Sequence, residues 1–464
     1  MKALFRHRLA PLAAAALMAG CSMMPRYDRP AAPVPAQWSE PAATQGTPAA
    51  DLGWQEFFSA TPLRPLIATA LRNNRDLRIA VLNIEQARAQ YDIRSADRVP
   101  SVGGGVNASS TPTAGGGSTR VFTAGLQFSS WELDFFGRIA SLSQAALAQY
   151  LATEEGRKAA QIALVASVAN TWLNLVADEE LIALTRQTLS TREESLRLTR
   201  LRFDNGVSSE LDFRLAESLA ETARATLAQQ HRQRALDLNS LVLLLGEAAP
   251  PEVGGNALLA AVQLPDVPAG LPSDVLVRRP DVLQAEQQLV AANANIGAAR
   301  AAFFPRITLT AGIGTASSQL SGLFAGGSWG VTASSQLLQP IFDGGRNRAG
   351  LRSANAARDI AVAQYERAIQ TAFREVADAL AGRSTLSDQL QAQGSVADAE
   401  AARLRLSTMR YENGVSSYLD LLDAQRSLFT ARQALIQTRL QRLQNQVLLY
   451  RALGGGWSGT DGGS

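Results

Sequence analysis

The chain has 464 residues, of which 46% are hydrophobic and 18% are charged, and its formal net charge is +3. Lys2, Arg6 and Arg8 carry three of the positive charges, so the remainder is close to neutral, and its dispersed charges of both signs give no support for nucleic acid binding. The sequence contains no uninterrupted apolar run of about 20 residues that would suggest a membrane-spanning helix.

The start of the chain has the pattern of a secretion signal. Its basic residues are followed by an apolar stretch that ends in Ala19-Gly20-Cys21. Cys21 is the only cysteine and cannot form an internal disulfide, so it is either a chance residue of the signal or a lipidation site. Because a small-small-Cys run resembles a bacterial lipobox, we predict a lipoprotein signal peptide over 1–20 and palmitate-type lipidation of Cys21. Ser22 follows instead of Asp, which in such lipoproteins implies transfer to the outer membrane.

The rest of the chain is predicted to contain an N-terminal arm, two repeats with the same order of helices and strands, and a tail. Residues 21–62 are rich in Pro and Ala and are predicted to form an extended surface arm. The first repeat then covers 63–254, the second covers 255–454, and 455–464 form a flexible tail. The first repeat is predicted to contain helices over 63–72 and 75–98, strands over 101–111 and 121–131, and helices over 138–203 and 209–246. The second is predicted to contain a helix over 281–303, strands over 306–316 and 329–339, and helices over 346–411 and 417–453.

Each repeat ends in a duplicated helical hairpin. Residues 198–246 and 406–454 align without a gap and share 20 identical residues in 49 positions. Each copy places the letters N-G-V-S-S between two helical stretches. The preceding helices contain no proline, and 66 residues at 1.5 Å each span about 100 Å, more than one globular domain. Helices of this length are stable only when they pack along others, so they belong to a rod or to the wall of a tube.

The strands favour a tube that crosses a membrane. A half-buried strand of a soluble sandwich alternates between apolar and polar residues, and so does a transmembrane β-strand of about 9–11 residues. Four strands cannot close a barrel, which needs about eight, and lipid tolerates no open sheet edge. A membrane barrel would therefore be shared between chains, and three chains would supply twelve strands. The clearest alternation sets Ile307, Leu309, Ala311 and Ile313 between Thr308, Thr310, Gly312 and Gly314.

Several motifs together carry a family resemblance. They are the lipobox, the paired NGVSS tips, Leu421-Leu-Asp-Ala-Gln-Arg426 and, most specifically, LPSDVLVRRPDVLQAEQQLVAANANIGAARAAFFPRITLT over 271–310. They resemble the outer-membrane factor family, which is TolC-like, and within it the efflux lipoproteins similar to OprM. The resemblance implies a mainly α-helical chain with β-strands that forms a homotrimer. A twelve-stranded β-barrel would cross the outer membrane and continue as a long periplasmic α-helical barrel that ends in six hairpin tips.

The hairpin tips are the first candidate site. Asn-Gly supplies positive-φ positions that end one helix, and Ser209 or Ser417 caps the next helix, with Asp212 or Asp420 three residues on. Turn and cap chemistry can account for these residue types, and the resemblance adds contact with the hairpins of a periplasmic adaptor. The residues assigned to that contact are Asn205, Gly206, Val207, Ser208, Asn413, Gly414, Val415 and Ser416.

The second candidate site is a periplasmic gate formed by Asp420, Asp423 and Arg426. Asp420 has a counterpart in Asp212 and can be explained as a cap, whereas Asp423 corresponds to Leu215. In channels of the family an Asp-x-x-Asp at this place lines the entrance, and three copies would form rings of like charge that select cations. Arg426 is spaced for a helical ion pair with Asp423. That pair is either a solvated surface pair or part of a latch.

No motif supports catalysis, a cofactor or a metal site. The sequence contains no phosphate-binding glycine loop or nucleophile motif, and His231 is the only histidine beyond the signal segment. The resemblance implies a passive outer-membrane exit duct of a tripartite efflux system for small molecules. An inner-membrane pump of the resistance-nodulation-division type would deliver them through the adaptor. The alternatives are a protein-export duct of type I secretion and a periplasm-spanning structural coiled coil without lipid-facing strands.

Overall fold

The computed structural model describes residues 22–38, 48–58, 62–251, 253–255, 257–270 and 278–457. Cys21 and the predicted signal peptide lie outside these residues. The chain forms two compact units. Unit 1 is drawn from Met1–Ala32, Leu82–Glu155 and Leu283–Arg367, and unit 2 from Pro33–Val81, Gly156–Val282 and Ala368–Ser464.

The helices and strands follow the predicted order, and every end except the start of β2 lies within two residues of its predicted place. The first half contains α1 (Trp54–Phe57), α2 (Leu63–Asn73), α3 (Arg75–Ala96), β1 (Gly103–Thr113), β2 (Gly117–Leu133), α4 (Arg138–Asp204) and α5 (Glu210–Leu245). The second half contains α6 (Pro280–Ala301), β3 (Arg306–Ser317), β4 (Trp329–Leu338), α7 (Arg346–Glu412) and α8 (Tyr418–Ala452). The division into two sequence repeats remains a prediction.

In unit 1 the four strands form one antiparallel sheet in the order β1-β2-β3-β4. The register places Leu126, Ile313 and Val331 in one cross-strand row, and Gln127 beside Gly312 in the next. Successive residues of a strand point to opposite faces, so one face is apolar and the other carries small polar residues. This confirms the predicted alternation. Within the described residues, β1 and β4 each have one edge that pairs with no other strand.

A β-bulge keeps the apolar face of β2 continuous. The register between β2 and β3 shifts between Phe128 and Trp131. At the shift, Ser130 has a φ of 56°, and its N–H donates a hydrogen bond of 3.0 Å to the hydroxyl of Thr310. A regular strand would place Phe128 and Trp131 on opposite faces, whereas the extra residue returns both to the apolar face. The sequence did not predict this bulge, which also allows β2 to extend to Leu133.

The hydrophobic core lies in unit 2. The ring of Phe57 stacks on that of Tyr450 with centroids 3.9 Å apart, and the Tyr450 hydroxyl donates a hydrogen bond of 2.6 Å to the carbonyl of Leu52. α4 adds a fully buried stripe that includes Val168 and Trp172. Burial of several large aromatic and aliphatic side chains at about 1.5–3 kcal/mol each makes this core the main source of stability in unit 2.

One stretch of α4 resembles a membrane-spanning helix in its average hydropathy, although the sequence contains no uninterrupted apolar run. By length and composition, an 18-residue window of Arg138–Asp204 is apolar enough to cross a membrane, and 61% of it is buried inside the chain. The apolar residues of α4 are interrupted by Asn and Thr, so no uninterrupted run exists, but their average hydropathy is high. Because Val168, Trp172 and Val176 are almost completely buried in unit 2, this apolar character is that of a core helix.

The predicted extended arm is wrong over 48–58. Residues Ala49–Asp51 form a 3-10 turn, α1 follows, and Phe57 and Phe58 are fully buried. An exposed arm would leave both aromatic rings in water, and their burial outweighs the cost of ordering the segment. Residues 22–38 have no regular secondary structure, as predicted, and side-chain hydrogen bonds fix parts of the segment. In unit 1, for example, Arg29 bonds both carboxylate oxygens of Glu286 at 2.7 Å.

The predicted flexible tail is also wrong at its beginning. Gly455 is packed so closely against Tyr450 that a Cβ atom would overlap the ring, and the side chain of Gln161 donates a hydrogen bond of 3.2 Å to the carbonyl of Gly456. Trp457 lies under the ammonium group of Lys158, 4.9 Å from the ring centroid. The physical reason is that Gly455 has no side chain to overlap the ring and that Gly456 can adopt a φ of 108°. Residues 458–464 lie outside the described part of the chain.

Candidate functional site

Both hairpin tips end their first helix in the same way. In the first tip the N–H of Gly206 bonds the carbonyl of Phe203 at 2.9 Å, and the N–H of Val207 bonds that of Arg202 at 2.8 Å. These two bonds define a Schellman motif, in which the residue after the helix adopts a left-handed conformation. Gly206 has a φ of 72°, and Gly414 in the second tip has a φ of 70°. The tips are therefore two copies of one helix stop.

The asparagine before each glycine does not have the predicted positive φ angle and contributes a side-chain hydrogen bond instead. Positive φ angles were expected for the Asn-Gly pair, but among the described tip residues only the two glycines have them. Asn205 and Asn413 instead donate side-chain hydrogen bonds of 2.7 Å to the carbonyls of Leu201 and Met409, four residues back. Each asparagine thus adds a second hydrogen bond to a carbonyl of the last helical turn that already accepts the backbone N–H of the same asparagine, at 3.3 Å for Leu201 and 3.2 Å for Met409.

The predicted caps at the start of α5 and α8 are confirmed. The hydroxyl of Ser209 accepts a bond of 3.1 Å from the N–H of Asp212, and the hydroxyl of Ser417 accepts one of 3.2 Å from that of Asp420. Each aspartate carboxylate accepts from the N–H of its serine in return, which completes a capping box. The carboxylate of Asp420 is therefore occupied by the cap.

The outermost part of each tip is apolar and exposed. Val207 is 75% exposed and Val415 is 64% exposed, and each is followed four residues later by an exposed leucine, Leu211 or Leu419. The serines before the caps differ, because the Ser208 hydroxyl donates a 3.2 Å bond to Asp212, whereas the Ser416 hydroxyl is buried and has no hydrogen-bond partner among the described residues. An exposed valine at the end of a rigid turn is a surface suited to protein contact.

Asp423 is the centre of a charged cluster on the second hairpin. The predicted pair with Arg426 is confirmed by a contact of 2.6 Å between Nη2 and Oδ1. A second arginine, Arg403 on α7, binds the other carboxylate oxygen, also at 2.6 Å, and bonds Glu400 at 3.2 Å. Hydrogen bonds from Arg403 and then Arg426 hold the pKa of the Asp423 carboxyl below its usual range. The three predicted gate residues are thus divided between the cap at Asp420 and the cluster at Asp423.

Arg403 is the residue that sequence reasoning missed. It joins α7 to α8 across the hairpin, whereas Arg426 lies one turn from Asp423 on the same helix. A signal was present in the duplication, because Arg403 corresponds to Ser195 in the first copy just as Asp423 corresponds to Leu215. Arg403 and Asp423, the two members of the ion pair, are thus both replaced by uncharged residues in the first copy. The ion pair between these two positions therefore has no counterpart in the first hairpin.

A buried carboxyl group, Asp178 of α4, lies farther from the tips and faces α5. Asp178 is almost completely buried beside Asp237, and it lines a cavity of about 630 Å3 whose other walls are mainly glutamine side chains. Burial first, and then the neighbouring carboxyl of Asp237, raise the pKa of Asp178 to about 7. Asp178 is therefore expected to hold a proton below neutral pH.

The raised pKa of Asp178 predicts a pH-dependent stability. The pKa of Asp178 is raised on folding, so its contribution is complete near pH 4 and is lost as the pH rises through about 7. An Asp178→Asn variant should match the native protein at pH 4 and be more stable at pH 8, by on the order of 2 kcal/mol after screening by solvent. Thermal unfolding at both pH values measures this. A variant that is less stable at pH 8 would contradict the assignment.

The stretch that carries the family resemblance has a structural role around Arg279. The buried guanidinium bonds Asp281 at 2.6 Å, Glu375 at 2.8 Å and the carbonyl of Ala452 at 2.7 Å. A cation at the last carbonyls of α8 stabilises that helix end. The part of the stretch over 271–277 lies outside the described residues. Those that are described contain no group of three or more His, Cys, Asp or Glu side chains placed to hold a metal ion.

Comparisons with known proteins agree with this geometry. The family model described as outer membrane efflux protein matches residues 66–247 and 271–455. The toluene efflux pump outer membrane protein TtgC of Pseudomonas putida is 48% identical over 453 residues, which cover 95% of this chain and 94% of TtgC. The outer membrane protein OprJ of Pseudomonas aeruginosa is 48% identical over 457 residues, with 95% and 94% covered. The open-state crystal structure of the Neisseria gonorrhoeae MtrE outer membrane channel has a TM-score of 0.87 at 39% identity, with 94% of this chain and 99% of MtrE covered.

Proposed function

The chain belongs to the outer membrane efflux protein family, and from that premise we propose that it forms the outer-membrane exit duct of a tripartite efflux system. The duct is passive and carries small molecules such as drugs or toxic compounds. An inner-membrane pump of the resistance-nodulation-division type supplies them through a periplasmic adaptor. The names of the relatives, which include toluene efflux, support solvents and other small apolar compounds as substrates.

The sheet of unit 1 is the observation that carries this proposal. One face is apolar and the other is lined by Thr, Gly, Ser and Gln, which suits lipid outside and water inside. Within the described chain β1 and β4 each leave one edge unpaired, and an open edge cannot remain in a bilayer. Three chains that pair β1 with β4 of the next would close a barrel of twelve strands. We therefore expect a homotrimer.

Two measurements test the function. Purified protein in planar bilayers should form conducting trimers, whereas a structural coiled coil would give no conductance. A deletion strain should become sensitive to toluene and to several unrelated drugs, and the native chain should restore resistance. Loss of one secreted protein with unchanged drug resistance would instead support the type I secretion duct.

The exposed valines of the tips are the anchors for the adaptor. Val207 and Val415 project from rigid turns, so little conformational entropy is lost when they are covered. Replacement of both by aspartate should weaken adaptor binding by about thirtyfold, the equivalent of about 2 kcal/mol of lost apolar burial. Replacement of both by threonine keeps the shape and serves as the control. Pull-down of the adaptor by purified trimers measures the effect, and equal capture by the aspartate variant would contradict it.

Cys21 carries a lipid anchor that holds the mature chain in the outer membrane with a long periplasmic portion. The lipobox pattern of Ala19-Gly20-Cys21 supports this assignment. Mass spectrometry of the protein extracted from membranes should find Cys21 as an acylated N-terminal residue, and a Cys21→Ala variant should lack the acyl chains. An unmodified Cys21 within an intact N-terminal segment would contradict the proposal.

A further inference from the structure

A cavity between the two hairpins of unit 2 contains a buried arginine. Arg192 on α4 is only 5% exposed, and it lines a cavity of about 260 Å3 with residues of α4, α7 and α8. A second arginine, Arg432 on α8, lines the same cavity, as do the amide side chains of Gln187 and Gln425. No Asp or Glu is among the lining residues described. The polar part of the lining is therefore made of positive charge, amide groups and two threonines, and the rest is apolar: Leu184, Leu404, Leu428 and Phe429.

The polar contacts of Arg192 do not balance its charge. Its Nη1 donates a hydrogen bond of 3.0 Å to the carbonyl of Leu219, and its guanidinium lies 5.4 Å from the ring centroid of Phe429. Its Nε has no hydrogen-bond partner among the described residues, and none of their carboxylates forms a salt bridge with it. The buried arginine of the other cluster, Arg279, pairs with two carboxylates. Arg192 is the exception to that pattern.

A buried guanidinium without a counter-charge requires compensation. Burial lowers the pKa of Arg192, and no neighbouring carboxylate raises it again. An arginine nevertheless remains protonated in proteins, so the charge cannot be removed by loss of a proton. Removing an ion from water is costly unless an opposite charge and hydrogen bonds replace the water. An anion in the cavity would supply both.

We propose that this cavity binds a small oxyanion of the phosphate or carboxylate class between Arg192 and Arg432. Two N–H groups of one guanidinium match two oxygens of such an anion, and the Nε–H of Arg192 has no other hydrogen-bond partner among the described residues. A volume of about 260 Å3 accommodates the anion with several waters, since each water occupies about 30 Å3. The anion links α4 of the first hairpin to α8 of the second.

The duplication indicates that the site occurs once in each chain. Arg192 corresponds to Glu400 in the second copy, where the carboxylate bonds Arg403. The same position thus carries opposite charges in the two hairpins, and only the first copy leaves a buried cation. Arg432 corresponds to Arg224, which binds Glu193 and Glu221 and is already neutralised.

The test compares inorganic phosphate with chloride on the full-length protein in detergent. Thermal unfolding and isothermal titration calorimetry are run with sodium phosphate and with sodium chloride at equal ionic strength. Native protein should show a phosphate-specific rise in unfolding temperature. Arg192→Gln should weaken phosphate binding by at least about tenfold, because a charge-assisted hydrogen bond is lost. Arg200→Gln removes a charge from an exposed position of α4 and should keep the native response.

Arg432→Gln provides a second variant, which changes an exposed residue and leaves the buried Arg192 in place. Arg432 is exposed on the rim of the cavity, so its replacement should leave the fold intact and still weaken phosphate binding. Sodium acetate in place of phosphate tests whether the cavity binds a carboxylate. The proposal is overturned if native protein responds equally to phosphate, acetate and chloride, as it would if a carboxylate of a neighbouring copy already occupied the cavity. It is also overturned if Arg192→Gln and Arg432→Gln both keep the native affinity.

Discussion

Trimers that carry Asp423→Ala are expected to leak severalfold more current in the closed state and to lose part of their cation preference. The carboxylate of Asp423 bonds Arg403 of α7 and Arg426 of α8, both at 2.6 Å. Its removal breaks the only cross-hairpin ion pair of this cluster, leaves Arg403 with Glu400 alone, and leaves Arg426 without a carboxylate partner among the described residues. If the hairpins must separate slightly for the entrance to open, this loss favours the open state. Single-channel conductance and reversal potential measure both effects.

The duplication supplies a matched control for this experiment. Leu215 occupies the equivalent position of the first hairpin, so Leu215→Ala shortens a side chain at the same place without removing a charge. Its trimers should behave like the native ones, and Arg403→Gln should reproduce the leak of Asp423→Ala. Unchanged leak and selectivity in Asp423→Ala trimers, or an equal leak in Leu215→Ala trimers, would exclude the gate.

The same cluster has a defined pH dependence. Its arginines hold the pKa of Asp423 below that of the unfolded chain. The contribution of the ion pairs is therefore present above the unfolded pKa of about 4 and is lost as the pH falls through the lowered folded pKa. Closed-state leak should remain constant around neutral pH and increase only in strong acid.

Gly125→Val is expected to abolish the assembled barrel. Gly125 of β2 faces Gly314 of β3, and a Cβ atom built on Gly125 would lie 2.5 Å from the carbonyl oxygen of Ile313 and 2.6 Å from the Cα of Gly314. Both are backbone atoms, which cannot move aside as a side chain can, so the two strands must separate. Loss of this pairing opens the centre of the sheet. Heat-stable trimers on a gel and bilayer conductance should both be lost.

Thr123→Val is the matched control for the glycine variant. Thr123 lies on the same face of β2, two residues away, and valine has nearly the shape of threonine. Both variants place a valine on the polar face, but only Gly125→Val introduces a Cβ at the close approach of the backbones. Thr123→Val should form trimers of native yield. If Gly125→Val trimers also form in native yield, the close approach of β2 and β3 does not limit assembly.

The residues that could be predicted from the sequence are those whose partners are local. Ser417 and Asp420 form a cap within one turn, and Asp423 meets Arg426 one turn later. The alternation of the strands likewise repeats every second residue. Arg403 could not be assigned in this way because its partner lies on the other helix of the hairpin, twenty residues away. Its joint difference with Asp423 between the two copies was the available signal.

The sequence by itself determined the order of the helices and strands, the two-faced sheet, the paired tips and the family resemblance. Only the tertiary structure decided that Phe57 stacks on Tyr450, that Arg403 holds Asp423, and that Arg192 is buried without a carboxylate. The physical reason is the range of the interactions. Periodicity and capping depend on residues within a few positions along the chain, whereas burial and charge balance depend on which distant segments pack side by side.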